Sequence, residues 1–373
     1  MNTTTPRIFI AATEQNTGKT TTSLGLYGAL REWFPSIGFI KPVGQRFTEV
    51  EGKRIDEDSV LIRDTFNTQT PIEDMSPIAV EPDFTRRYIE SSNSEVLEKR
   101  IRNSFDRACW EKDFAIIEGT GHAGVGSVFD LSNAKVAKLL HSKVILVTPG
   151  GIGRPIDEAA LNRALFDREG VEVIGVVMNK VLPSKIDYIS EFARRGFERL
   201  GLELLGVIPQ ERTLSEPTML DVCANIRGEI IAGEALIRRY VSSVMIGAMQ
   251  PSNMLARLEP RTLLVVSGDR EDVILAAHSE AERAVLENRE GLISGLVLSE
   301  SLRPQGAVAE LIENSSLPVV ASPMDSYTIA SRIQSMTVKT LPGDVGKIIR
   351  IQQLVSTHVD VKRILEKIRP SEE

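Results

Sequence analysis

Apolar and polar positions alternate along the first two-thirds of the chain in a regular rhythm. Short, almost uninterrupted apolar runs are separated by longer stretches with helical spacing, as expected of buried parallel strands joined by crossover helices. The strand candidates are Arg7–Thr13, Ile37–Lys41, Phe114–Glu118, Val144–Thr148, Val171–Met178 and Leu204–Ile208. Helical spacing falls near Lys19–Trp33, Glu95–Trp110, Ser132–His141, Ile156–Asp167 and Lys185–Leu200. This pattern predicts an α/β fold, a doubly wound and mostly parallel sheet with ligands at the carboxyl ends of its strands. After a polar stretch from Gln210 to Pro217 a second block begins, with strands expected near Ser243–Ala248, Thr262–Ser267, Leu292–Leu298 and Val319–Ala321. Its helices are expected at Glu271–Glu287 and Gly306–Glu313. From Asp325 on the pattern is helical, with Ile348, Ile351, Leu354, Val361 and Ile364 at packing positions. The domain expectation is therefore 1–213, 214–324 and a helical segment 325–373.

Size and charge narrow the classes. At 373 residues the chain exceeds the roughly 250–300 at which single cores stop growing, which supports more than one domain. Its net charge of −7, with basic residues scattered, gives no electrostatic support for nucleic acid or an anionic membrane as partner. No apolar run reaches the ~20 residues of a membrane span. The two cysteines, Cys109 and Cys223, lie far apart without metal-ligand spacing. A cytoplasmic, reducing location is the expectation.

The first strand runs into Ala12-Thr13-Glu14-Gln15-Asn16-Thr17-Gly18-Lys19-Thr20-Thr21, and a helix opens at Gly18-Lys19-Thr20. A helix N-terminus offers unpaired N–H groups to phosphate, Lys19 adds a full charge for the β- and γ-phosphates, and the Thr20 hydroxyl suits Mg²⁺. Thr13 stands where the common phosphate-loop pattern has glycine. Glu118 ends an apolar strand where a charge is otherwise avoided, and reads as a metal carboxylate. Gly119-Thr120-Gly121-His122-Ala123-Gly124 spells a dinucleotide fingerprint, but the next strand ends in Thr148-Pro149 with no acidic residue, so the stretch reads as a wall of the phosphate site. His122 stands in it as a polar loop residue or a proton donor. Pro149-Gly150-Gly151-Ile152-Gly153-Arg154 makes a second glycine turn into a helix, either a bare turn or an anion-binding start.

Thr13-Glu14, Gly18-Lys19-Thr20 and the later Ile40-Lys41-Pro42-Val43 resemble dethiobiotin synthetase, a P-loop enzyme that activates a carbamate with ATP. The resemblance implies ATP and Mg²⁺ as cofactors, with Thr13, Glu14, Asn16, Thr17, Gly18, Lys19, Thr20 and Thr21 around the phosphates. It gives Lys41 a contact to phosphate and substrate, so Lys19 and Lys41 are the catalytic candidates. Asp58 would be the second Mg²⁺ carboxylate beside Thr20 and Glu118, with Asp56 as the alternative. Asn179 stands where related P-loop proteins read the nucleotide base. In the second block, Leu214–Thr218, Gly228-Glu229, Gly233-Glu234, Gly247–Met249 and Gly268-Asp269-Arg270 resemble the DRTGG domain, with Ser299-Glu300-Ser301 replacing its Thr-Gly-Gly portion. The pair of domains is similar to the N-terminal, non-catalytic half of long bacterial phosphate acetyltransferases. That resemblance implies a nucleotide-dependent regulator, homo-oligomeric and without acetyltransferase activity. The alternatives are an ATP-dependent ligase with a small carboxylate ligand, of the dethiobiotin synthetase or cobyrinic acid a,c-diamide synthase type, and a structural subunit with a vestigial nucleotide site.

Overall fold

The computed structural model describes residues 2–369. The strands of the first sheet are β1 (Arg7–Ala12), β2 (Ile37–Ile40), β3 (Phe114–Glu118), β4 (Lys143–Pro149), β5 (Val173–Val181) and β6 (Leu204–Pro209). Their spatial order is β6-β5-β4-β1-β3-β2, and every neighbouring pair is parallel. The order reverses around β1, the place where a doubly wound sheet opens a crevice at its carboxyl edge. All of β1, β2 and β3 is buried, which explains their continuous apolar runs. Register brings three strand ends together: Ile10 pairs with Glu118, and Ile40 pairs with Ile117. Lys41 therefore emerges beside Glu118, next to the loop that follows Ala12.

By its internal contacts the chain divides into two units, one formed by 1–211 with 340–373 and the other by 212–339. The segment expected as a single helical piece from 325 is thus divided. Ser326–Gln334 belongs to the second unit, whereas Val345–His358 and Val361–Ile368 belong to the first. The reason is packing on α1 (Lys19–Leu30), the helix that follows the phosphate loop. A Cβ placed on Gly25 would lie 2.2 Å from Val355 Cγ2, and one on Gly28 would lie 2.8 Å from Gln352 Cγ. The glycines let helix Val345–His358 approach α1 more closely than any side chain permits. Gly25→Ala is expected to cost about 1–3 kcal/mol through overpacking. In urea titrations, pairing it with Val355→Ala should cost less than the sum of the two single changes.

In the second unit the strands are β7 (Glu229–Ala232), β8 (Ser243–Ile246), β9 (Thr262–Ser267), β10 (Ile293–Ser299) and β11 (Val319–Ala321), in the order β7-β11-β10-β9-β8. All pairs are parallel except β7 with β11. Alternate residues feed two cores, Leu264, Val266, Leu296 and Leu298 on one face and Leu263, Val265, Val297 and Val320 on the other. Strand β7 was not expected from the sequence, nor was the hairpin Phe47–Val50/Lys53–Asp56, whose half-exposed residues lack an apolar run. Among the described residues, no helix is long and apolar enough to cross a membrane.

Candidate functional site

The loop between β1 and α1 turns through Gly18, whose φ of 99° suits glycine. A Cβ there would also lie 1.9 Å from Asn179 Nδ2. Asn179 is 3% exposed; its Nδ2 donates to the Thr17 carbonyl at 2.9 Å and its Oδ1 accepts from the Lys180 N–H at 2.8 Å. The residue expected to read a base thus holds the phosphate loop. Thr13 is buried, and its hydroxyl pairs with that of Thr148 at 3.3 Å. Thr17 is buried, with its hydroxyl on the Glu14 carbonyl at 3.3 Å, and Thr21 is half-buried in the first turn of α1. Exposed Asn16 sits at positive φ and its carbonyl accepts from Lys180 Nζ at 2.6 Å. Glu14 meets Arg154 Nη2 at 2.5 Å, so the second glycine turn reaches the lip of the first.

On the other side of the loop lies a cluster of charges. The Thr20 hydroxyl donates to Glu118 Oε1 at 3.0 Å. Glu118 is fully buried, and its Oε2 has no hydrogen-bond partner. Lys41 Nζ lies 3.4 Å from Glu118 Oε1 and 3.2 Å from Asp56 Oδ1, and also hydrogen-bonds Asp58. Asp58 and Asp56, the two alternatives for a second metal carboxylate, therefore face the same ammonium. Asp56 additionally caps helix Glu57–Phe66, accepting from the Asp58 N–H.

Burial and neighbours act on each charge in turn. Burial alone would lower Lys41, yet Asp58, Glu118 and Asp56 hold it well above the ordinary lysine range. Burial pushes Glu118 up to about 7, with Lys41 pulling against it and Asp58 adding to the rise. Asp56 is raised for the same first reason, again opposed by Lys41. Lys19, 9% exposed, falls to about 8 by burial despite the attraction of Glu118.

Three further residues shape the site without having been expected. Asn133 binds the Thr120 N–H through Oδ1 at 3.1 Å and donates to the Thr120 and His122 carbonyls, both at 2.7 Å. Asn162 joins the phosphate loop to the loop after β3, and Lys180 holds Asn16. Asn162 carried a legible signal: Ala159, Asn162 and Phe166 form the buried stripe of their helix, and a polar residue on such a stripe demands partners. His122 is exposed, and its Nδ1 accepts from the Gly124 N–H at 3.2 Å.

In the second unit, Arg270 Nε donates to Asp272 at 2.8 Å and its Nη2 to the Met249 carbonyl at 3.3 Å, linking the ends of β8 and β9. Glu300 and Ser301 adopt φ of 59° and 54°, so the left-handed backbone persists where the resembled motif has glycines. Their N–H groups are taken by the Met324 and Ser322 carbonyls, both at 2.8 Å.

A parallel sheet with reversed strand order, a phosphate-type loop after its central strand, and a buried carboxylate facing the loop threonine define a P-loop nucleotide-binding fold of the α/β class. The chain belongs to the AAA domain family, whose model matches residues 6–218, and residues 221–336 match the DRTGG domain. It is similar to the phosphate acetyltransferases of Pseudomonas aeruginosa, 27% identical over 376 residues, and of Synechocystis sp., 25% identical over 377. Those alignments take in 96% and 98% of this chain but 51% and 52% of the relatives. The chain thus spans about half the length of the curated relatives it matches, and is related to their N-terminal region. The septum site-determining protein MinD of Pyrococcus horikoshii OT3, solved with Mg-ADP, aligns with 56% of this chain and 83% of its own at 16% identity and a TM-score of 0.36.

Proposed function

We propose that the chain binds ATP with Mg²⁺ at the loop Thr13–Thr21 and acts as a nucleotide-dependent regulator through its DRTGG domain. The observation that carries this is the pairing of the Thr20 hydroxyl with buried Glu118, whose second oxygen is unpartnered. A buried carboxylate oxygen without a hydrogen bond is costly, and a divalent cation beside it supplies opposite charge. Among the described residues, no group of three or more His, Cys, Asp or Glu side chains is arranged to hold a metal. Mg²⁺ needs only one or two protein groups when phosphate oxygens and waters complete its shell. Thr20 and Glu118 would hold it, with Asp58 as the nearer of the two further carboxylates to Lys41. Bound there, it would neutralise phosphate charge. Gly18 and the first turn of α1 present backbone N–H groups to the phosphates, and Lys19 adds a charged donor. Asn179 keeps one amide hydrogen beyond its bond to Thr17, available to a base acceptor.

The Lys41 ammonium is already engaged by Asp56, Asp58 and Glu118, which favours the regulator over a ligase that would need it for a carboxylate or carbamate. Calorimetry with ATP, with and without Mg²⁺, tests the proposal. Wild type should bind, and Glu118→Gln should lose about 10–100-fold of the Mg²⁺-dependent affinity while metal-free affinity stays level or rises. Equal loss in both conditions would make Glu118 structural, and no binding by wild type would overturn the nucleotide reading.

A further inference from the structure

Asn162 sits in the middle of helix Arg154–Glu169, 6% exposed, between fully buried Ala159 and Phe166. Its Nδ2 donates to the Thr13 carbonyl at 3.2 Å and to the carbonyl of Glu158 in its own helix at 2.8 Å. Its Oδ1 accepts from the Ala123 N–H at 2.7 Å. An amide side chain has two N–H donors and one carbonyl oxygen, and here each is engaged. Thr13 is the residue at which β1 gives way to the phosphate loop, and Ala123 lies in the loop that follows Glu118. One buried side chain therefore ties the loop offered to phosphate to the loop that leaves the metal carboxylate. The far side of the second loop is held by Asn133, which binds Thr120 and His122.

We propose that Asn162 is a positioning residue that couples the phosphate loop to the 119–126 loop, so that nucleotide held at Gly18–Thr20 fixes the arrangement of the second loop. The inference rests on the nucleotide-binding reading above and adds the route by which occupancy leaves the site. The buried amide keeps both bonds only while the Thr13 carbonyl and the Ala123 N–H stay at one separation, so a displacement of either backbone is felt by the other. Aspartate at 162 is nearly isosteric. It still accepts from Ala123 but sets a carboxylate oxygen against the Thr13 and Glu158 carbonyls, so of the two bonds that link the loops it breaks only the one to the phosphate loop. Alanine removes both bonds.

The test is hydrogen exchange on the full chain, with and without ATP and Mg²⁺, alongside calorimetric affinities for wild type, Asn162→Asp and Asn162→Ala. In wild type, nucleotide should slow exchange across 119–126 by about tenfold or more, the response of a locally ordered loop. Asn162→Asp should still bind nucleotide and keep the Ala123 amide protected in the nucleotide-free protein, yet lose most of the slowing. Asn162→Ala should lose both, with protection in β4 and β5 unchanged. A wild-type response in Asn162→Asp, or no slowing in wild type that does bind nucleotide, overturns the coupling and leaves nucleotide binding standing. Lost protection throughout β4 and β5 in both variants would assign Asn162 to folding alone and also overturn it. Absence of binding by wild type in calorimetry removes the nucleotide reading and this inference together.

Discussion

Lys41→Met is expected to destabilise the fold by about 3–5 kcal/mol, the range seen when one partner of a buried ion pair is removed and the other stays. Lys41 touches Asp56, Asp58 and Glu118, and all four side chains are at most 8% exposed. Methionine fills much of the volume but removes the ammonium that Asp56, Asp58 and Glu118 share. The loss should also depend on pH, with a sign that follows from the cluster. Lys41 pulls the Glu118 and Asp56 carboxyls down against burial, so its removal raises them further above their unfolded values. Groups raised in the folded state bind more protons there than in the unfolded chain, and their contribution to stability falls as pH rises above the unfolded value. The gap between variant and wild type should therefore be wider at neutral pH than near pH 5. Urea titrations at the two pH values measure it, provided the slopes agree. A loss under about 1 kcal/mol at neutral pH would show that the carboxylates need no internal cation.

Lys19→Ala should weaken ATP binding by roughly 1.5–3 kcal/mol, about 10- to 150-fold, the value of hydrogen bonds to a charged group. Lys19 is buried and its ammonium is held near pKa 8, so in the nucleotide-free protein its charge is disfavoured by burial. A polyphosphate arriving beside it relieves that penalty as well as gaining a bond. Wild-type affinity in the variant, with the fold intact by circular dichroism, would place the phosphates away from α1.

The candidate site was largely legible because its parts punctuate apolar runs. Lys19 and Thr20 follow β1, Lys41 follows β2 and Glu118 closes β3; a parallel sheet delivers all three ends to one edge. The sequence left Asp56 and Asp58 as alternatives because two acidic residues at a helix start look alike on paper. In the fold they share one ammonium, and Asp56 is also the cap. Asn179 was placed at the right strand end, but its bond to Thr17 depends on a loop more than 150 residues earlier, which no local pattern encodes. The return of Val345–His358 to α1 was hidden for a similar reason. Gly25 and Gly28 weaken α1 as an isolated helix, and they make sense only once a second helix lies on them.

Because residues 212–339 interrupt the first unit rather than follow it, the polypeptide enters and leaves that insertion from the same body. Stopping translation at Glu211 would not yield the nucleotide unit alone. It would strip α1 of Val355 and Gln352, remove the bridge from Val359 to Gly206 on the edge strand β6, and leave Glu203 without Arg363 and Lys367. A minimal version has to join residue 211 to residue 340. Limited proteolysis obeys the same topology: one cut at either junction leaves 212–339 covalently attached to one piece of the first unit, and only a second cut frees it.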